Sequence, residues 1–193
     1  MPATVEKEAS EYLNLLKGLA PHEHDVLVNS IKKIKDSLID NSQKNNGLIE
    51  GLTDRDYSQA ERIKLEMDSL FNYFKRRREL LQNCLTTSQV AKLLGTSRQT
   101  PHDRVKNQTL LAMRDNGVLR FPTWQFEPEG ADGVIDGLPE VIKSLSITSD
   151  FAKVNWFMRP NLVLDSLTPV QALKQGLKTR VIEEAIGSGG ASW

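Results

Sequence analysis

Residues 85–126 read LTTSQVAKLLGTSRQTPHDRVKNQTLLAMRDNGVLRFPTWQF, and this stretch leaves the chain few folds to choose from. Thr86 or Thr87 can accept from free backbone N–H groups and open a short helix. Val90, Ala91 and Leu94 form its inner face at i, i+1, i+4 spacing. Ala91 is small enough to let a second helix approach. Gly95 supplies the left-handed residue that a tight turn needs. Ser97 then caps a second helix, expected over residues 98–107, with Val105 on its inner face. The pattern is a helix-turn-helix, and its second helix is expected to present Arg98, Gln99, Thr100, His102 and Arg104 outward, with Lys106 farther along. Such side chains can reach base edges or phosphates.

The following residues suit a wing. Residues 110–113 predict a strand, Asp115-Asn116-Gly117 is a hairpin turn signal, and residues 118–121 predict the return strand. Arg114 and Arg120 flank the turn and are expected on the nucleic-acid backbone. The alternative is a small helical core carrying a surface hairpin. Pro101 departs from the usual pattern, because a branched apolar residue normally packs at its position. In the first turn of a helix its missing N–H is least costly, and it can shift where that helix begins.

Charge favours the nucleic-acid reading. The formal net charge is zero, but residues 75–120 hold 10 Lys or Arg against 3 Asp or Glu, a net of +7. Residues 1–74 are net −4 and residues 121–193 net −3. A basic centre with acidic flanks puts the charge on the segment already singled out by its pattern. Lys75-Arg76-Arg77-Arg78 is the densest basic run. On a helix its charges fan round more than half the circumference, as a solvated face or as phosphate contacts.

Three amphipathic helices are predicted before this segment: residues 5–19, residues 22–39 with a seam of Leu27, Ile31, Ile34 and Leu38, and a third from near Thr53 or Ser58 to about Leu81. Residues 41–51 are polar and read as a loop. The apolar stripe Ala60, Ile63, Met67, Leu70, Phe71 and Phe74 must be buried, either within a three-helix bundle or against a second chain. Residues 1–80 are therefore expected to be a helical, coiled-coil-like dimerisation arm, followed by the DNA-binding domain over 81–128. His22 and His24 are ligand types, but i, i+2 spacing points them to different faces and no third ligand is nearby. No metal site is expected.

After the wing, residues 127–137 (EPEGADGVIDG) are acidic and Gly-rich and read as a linker. Leu138-Pro139 opens a helix with proline at its first position. Ser149 caps another, which stops at Arg159-Pro160-Asn161. Thr168-Pro169 caps a third, ended by Gly176, and residues 180–186 form the last. Residues 188–192 are a Gly/Ser-rich tail. Residues 129–193 are thus expected to be a small helical domain, and the fold class as a whole mainly α with a small β-hairpin.

With GLPEVIKSL, FAKVNWFMRPNLVLDSLTPVQALKQG and TRVIEEA, the chain resembles a bacterial family that joins an excisionase- or MerR-like winged helix-turn-helix to an Xre/MbcA/ParS-type, antitoxin-like C-terminal domain. The resemblance covers about residues 85–187. The spacing of Pro160-Asn161, Leu164, Thr168-Pro169, Leu173 and Gly176 is its most specific part. It implies double-stranded DNA as a partner, and toxin binding or self-association by the C-terminal domain.

Composition excludes several other classes. Single Cys84 cannot form an internal disulfide and suits a reducing compartment. No apolar run approaches the roughly 20 residues of a membrane span. The start, MPATVEKEAS, lacks the basic and apolar regions of a secretory signal, so the expected location is the cytoplasm, on the nucleoid. None of GxxxxGK[ST], GxGxxG after a strand, HExxH or GxSxG is present, and no catalytic role or cofactor is expected. The expectation is a dimeric, sequence-specific DNA-binding regulator that represses its own operon or organises a mobile element. The alternative is an antitoxin-like protein that occludes a toxin enzyme, with DNA binding secondary.

Overall fold

The computed structural model describes residues 16–17, 19, 21–40, 59–130 and 132–188. The chain forms two compact units, Met1–Arg77 and Arg78–Trp193. The described residues are mainly helical, with one small three-stranded antiparallel sheet.

In the first unit, α1 (Pro21–Asp40) begins with proline at its first position, where no intrahelical N–H bond is lost. Helix α2 (Gln59–Gln82) carries the predicted apolar stripe. Leu19, Leu27 and Phe74 are buried, with Leu16 and Leu70 packed against them. Ile31, expected in the α1 seam, is 38% exposed. The side chains of Ile34 and Leu38, the predicted loop over 41–51 and nearly all of the predicted helix over 5–19 lie outside the described residues.

In the second unit, β1 (Cys84–Thr86) leads directly into α3 (Thr87–Leu93). Thr86 makes the junction with a capping box. Its hydroxyl accepts from the Gln89 N–H, and the Gln89 carboxamide accepts from the Thr86 N–H at 2.8 Å. Such a cap stabilises by about 1 kcal/mol. At the other end Gly95 (φ 63°) turns the chain. Gly95 N–H donates to the Lys92 carbonyl and Thr96 N–H to Ala91, the paired bonds of a Schellman motif. Helix α4 (Gln99–Lys106) follows. It starts one residue later than predicted, and Ser97 does not cap it: the N-cap is Arg98, without a side-chain cap bond. Pro101 is buried and fills the inner face itself, in place of the branched residue that the pattern lacks. Helix α4 also ends in a Schellman pair, but the left-handed residue is Gln108 (φ 57°).

The hairpin is β2 (Met113–Asp115) and β3 (Val118–Pro122), joined by Asn116 and Gly117, both at positive φ. A two-residue loop of this kind matches the right-handed twist of the strands. Residues 110–112, expected as the first part of the hairpin, do not pair. Leu110, Leu111 and Ala112 are all buried, a continuous apolar run rather than an alternating one. The sequence pattern does not predict strand β1. This strand pairs antiparallel with β3, so β3 is the central strand.

Buried Gln125 satisfies both backbone groups of Leu111 at the centre of the unpaired stretch. Its carboxamide oxygen accepts from Leu111 N–H at 2.8 Å, and its nitrogen donates to the Leu111 and Pro122 carbonyls. The predicted linker is also structured. Val134 and Ile135 within it are buried; Phe126 pairs with Val134, and Ile135 N–H donates to Gln125.

Helices α5 (Leu138–Ser144), α6 (Asp150–Phe157), α7 (Pro169–Lys174) and α8 (Lys178–Gly187) complete the unit. The predicted caps at Ser149 and Thr168 are present, the latter a second capping box with Gln171. Gly176 (φ 78°) turns α7 into α8. Residues 81–128 and 129–193, expected as separate domains, share one core that runs from Leu80 to Ala185. The Trp124 and Phe157 rings stack across it, 5.2 Å apart. Val134 and Ile135 carry that core through the Gly-rich, acidic segment predicted as a linker. Lys178 bonds Glu140 at 2.7 Å and Asp136 at 3.3 Å, and its ammonium holds the Glu140 carboxyl below its ordinary range.

Gly95 and Gln108 share a left-handed conformation, so opposite substitutions should have opposite effects. A Cβ at Gly95 would meet nothing within 4 Å, so Gly95→Ala adds only backbone strain. It is expected to destabilise the chain by about 1–2 kcal/mol. Gln108→Gly removes that strain and is expected to stabilise by about 0.5–1 kcal/mol after the added unfolded-state entropy. Urea denaturation of both variants measures this; equal signs would contradict the account.

Candidate nucleic-acid interface

Two inward positions fix the orientation of α4. Pro101 and half-buried Val105 face inward, which turns Gln99, His102, Asp103 and Lys106 outward as one exposed stripe. Arg98 is exposed at the N-cap. This keeps four of the six residues predicted to face out of this helix region and adds one. Thr100 is half-buried, its hydroxyl 3.2 Å from that of Ser97.

Arg104 also differs from expectation. Its guanidinium donates to the Asp132 carbonyl at 2.9 Å and to the Thr109 hydroxyl at 3.4 Å. Burial pulls its pKa below the ordinary value, although an arginine stays charged at neutral pH. Its role here is to tie α4 to the loop after the sheet. Gly133 in that loop approaches α3 closely: a Cβ there would lie 2.6 Å from a Leu94 methyl carbon.

Asp103 is acidic and so falls outside a pattern of basic and amide side chains. The inward Pro101–Val105 pair is the signal for it, because 99, 102, 103 and 106 then share a face. Gln99 Nε2 donates to Asp103 Oδ1 at 2.9 Å, an i, i+4 pair along the exposed stripe.

On the hairpin, Arg114 is exposed, and Arg120 is half-buried with its Nε 3.9 Å from Asp115. Both flank the Asn116-Gly117 turn as predicted. The basic run before the sheet is less uniform. Lys75 is exposed, Arg76 and Arg78 are half-buried, and Arg77 is buried with its Nε 3.5 Å from Glu23. Arg77 therefore does not belong to a solvated phosphate-contacting face. A run of four charges on a helix must turn one toward the packed side, and here that residue pairs with an acid.

Cys84 is half-buried beside this segment, its Sγ donating to the Leu80 carbonyl at 3.1 Å. Burial pushes its pKa up to about 11, which suppresses the reactive thiolate. Among the described residues no group of three or more His, Cys, Asp or Glu is arranged to hold a metal ion. No described helix is long and apolar enough to cross a membrane.

No family model matches the chain, and no curated protein matches it. Among solved structures, an NMR structure of Rv2175c superposes with a TM-score of 0.47 at 22% identity, covering 55% of this chain and 80% of that one. Similarity at that level bears on neither the function nor the site.

The tie and the exposed stripe can be separated by stability. Arg104→Ala removes a charged hydrogen bond at a half-exposed position and is expected to destabilise by about 1 kcal/mol after discounting for solvent. Arg98→Ala is expected to stay within about 0.5 kcal/mol of the parent. If urea denaturation ranks the two variants in the reverse order, Arg104 is not the tether described here.

Proposed function

We propose that this protein binds double-stranded DNA sequence-specifically, as a dimeric transcriptional regulator that represses its own operon or as an organising factor of a mobile element. It acts as a binding protein and not as an enzyme, in the cytoplasm on the nucleoid. One observation carries the reading. A helix–turn–helix whose second helix exposes a polar stripe is followed by a tightly turned hairpin with arginines flanking its turn, all within a segment of net charge +7. A winged helix-turn-helix uses those parts in that order: the second helix enters the major groove and the hairpin meets the backbone. Arg98, Gln99, His102 and Lys106 are the groove-facing residues, and Arg114 and Arg120 the phosphate contacts.

A homodimer through the N-terminal helices is supported by apolar side chains left on that unit's surface. Val26, Val28, Ile31, Ile63, Leu65 and Tyr73 are each at least 38% exposed. Leu65, Leu70 and Tyr73 also line a shallow groove of about 440 Å³. Two linked half-sites bind more tightly than one.

A second reading, a protein partner such as a toxin at the C-terminal helices, is favoured by one feature. Leu162 is 88% and Val163 61% exposed on a rigid turn, stabilised by Asn161, which bonds Glu184 at 2.8 Å, and by Arg180, which bonds Asp165 and the Val163 carbonyl. Co-purification of one small protein that is lost with Leu162→Asp supports that reading.

Affinity for DNA should fall steeply with salt. If about 6 phosphates per dimer are neutralised, the log–log slope should be near −5. Fluorescence anisotropy against a salt series measures it, and a flat response between low and physiological salt would overturn the groove-and-phosphate picture. The chain is expected to sediment at twice its 21.7 kDa mass. A monomer at micromolar concentration would remove the dimer from the proposal.

A further inference from the structure

The outward stripe of α4 carries a carboxylate at its centre, within a segment that is otherwise strongly basic. Asp103 is exposed, and it makes no ion pair among the described residues although Lys106 and Arg104 are close in sequence. Its one side-chain bond is to a neutral neighbour, Gln99. For a surface meeting a polyanion, an acid here weakens general attraction. A specific acceptor role offsets that loss.

The hydrogen bond fixes the chemistry of the stripe. Because Gln99 spends an N–H on Asp103, its Oε1 remains an acceptor without a partner among the described residues, as does Asp103 Oδ2. The pair therefore presents two acceptors and one remaining amide N–H. In the major groove only cytosine N4 and adenine N6 offer amino donors, whereas guanine and thymine turn acceptor oxygens to the same edge.

Resting on the DNA-binding reading above, we propose that Gln99 and Asp103 act as one unit that selects a base bearing an exocyclic amino group, with Asp103 as a specificity-determining residue. At its position Asp103 accepts from that amino group and repels guanine O6 or thymine O4, its lone pairs facing theirs. Gln99 accepts from, or pairs bidentately with, the adjacent base. Lys106, one turn farther along, supplies a donor to the same face.

The test selects duplexes from a random-sequence library with the full chain, then measures binding to a one-base-at-a-time series. The wild type, Asp103→Asn and Gln99→Ala are compared. Asparagine keeps an acceptor for Gln99 but gains donors, so it no longer rejects guanine or thymine. The expected result is that the wild type demands cytosine or adenine at one position by about tenfold or more. Asp103→Asn should lose that demand while binding the guanine and thymine duplexes more tightly, and Gln99→Ala should relax the neighbouring position. Whether cytosine or adenine is selected identifies the amino group. Both substitutions are on the exposed face, and unchanged thermal melts confirm that the variants fold. If Asp103→Asn tightens every duplex alike with base preferences intact, Asp103 is only a surface charge, and DNA binding itself stands. If the wild type enriches no duplex at all, the DNA-binding reading fails and this assignment with it.

Discussion

The buried carboxamide of Gln125 is the interaction on which the second unit depends. Residues 110–112 connect α4 to the hairpin through the middle of the core, where their backbone cannot bond water. An unpaired buried backbone group costs about 1–3 kcal/mol, so an irregular stretch can sit there only if something replaces the missing strand partner. Gln125 does so from both sides, accepting from one peptide N–H and donating to two carbonyls. Its own backbone carbonyl accepts from Ile135. One residue thus joins the hairpin, the incoming chain and the loop that leads to the C-terminal helices, and the core on either side of it is continuous.

Local chemistry was legible in the sequence at most caps and turns, Ser97 excepted. Gly95, Asn116-Gly117, Thr86, Ser149 and Thr168 all do what their types predict, because the cap or turn needs no distant partner. The mainly helical class with a small β element followed from the same signals. What escaped depends on tertiary context. Strand β1 is three residues long, too short for a period-two pattern, and exists because β3 has an edge to share. Gln125 looks like any surface glutamine until residues 110–112 need it.

The candidate site shows the same division. Composition located the basic segment, but charge alone did not say which cations face outward. Arg77 and Arg104 have the right side chain in the right segment, and packing turns one toward Glu23 and the other toward a loop carbonyl. Asp103 has the unexpected charge and the central position. The deciding fact is the direction of the inner face of α4, set by a proline whose burial the usual helix-turn-helix pattern does not anticipate.

The tether between Arg104 and the loop has a consequence for how this surface can change over time. Its acceptor is the main-chain oxygen of Asp132, a group that every amino acid carries. The side chains of the loop can therefore vary without disturbing the pose of α4, provided the path and length of the loop are kept. Outward residues of the helix can drift as well, since none of them fixes its orientation. The frame and the exposed stripe are thus set separately: insertions or deletions near residue 132 would re-aim the helix, while substitutions on the stripe would leave its pose unchanged.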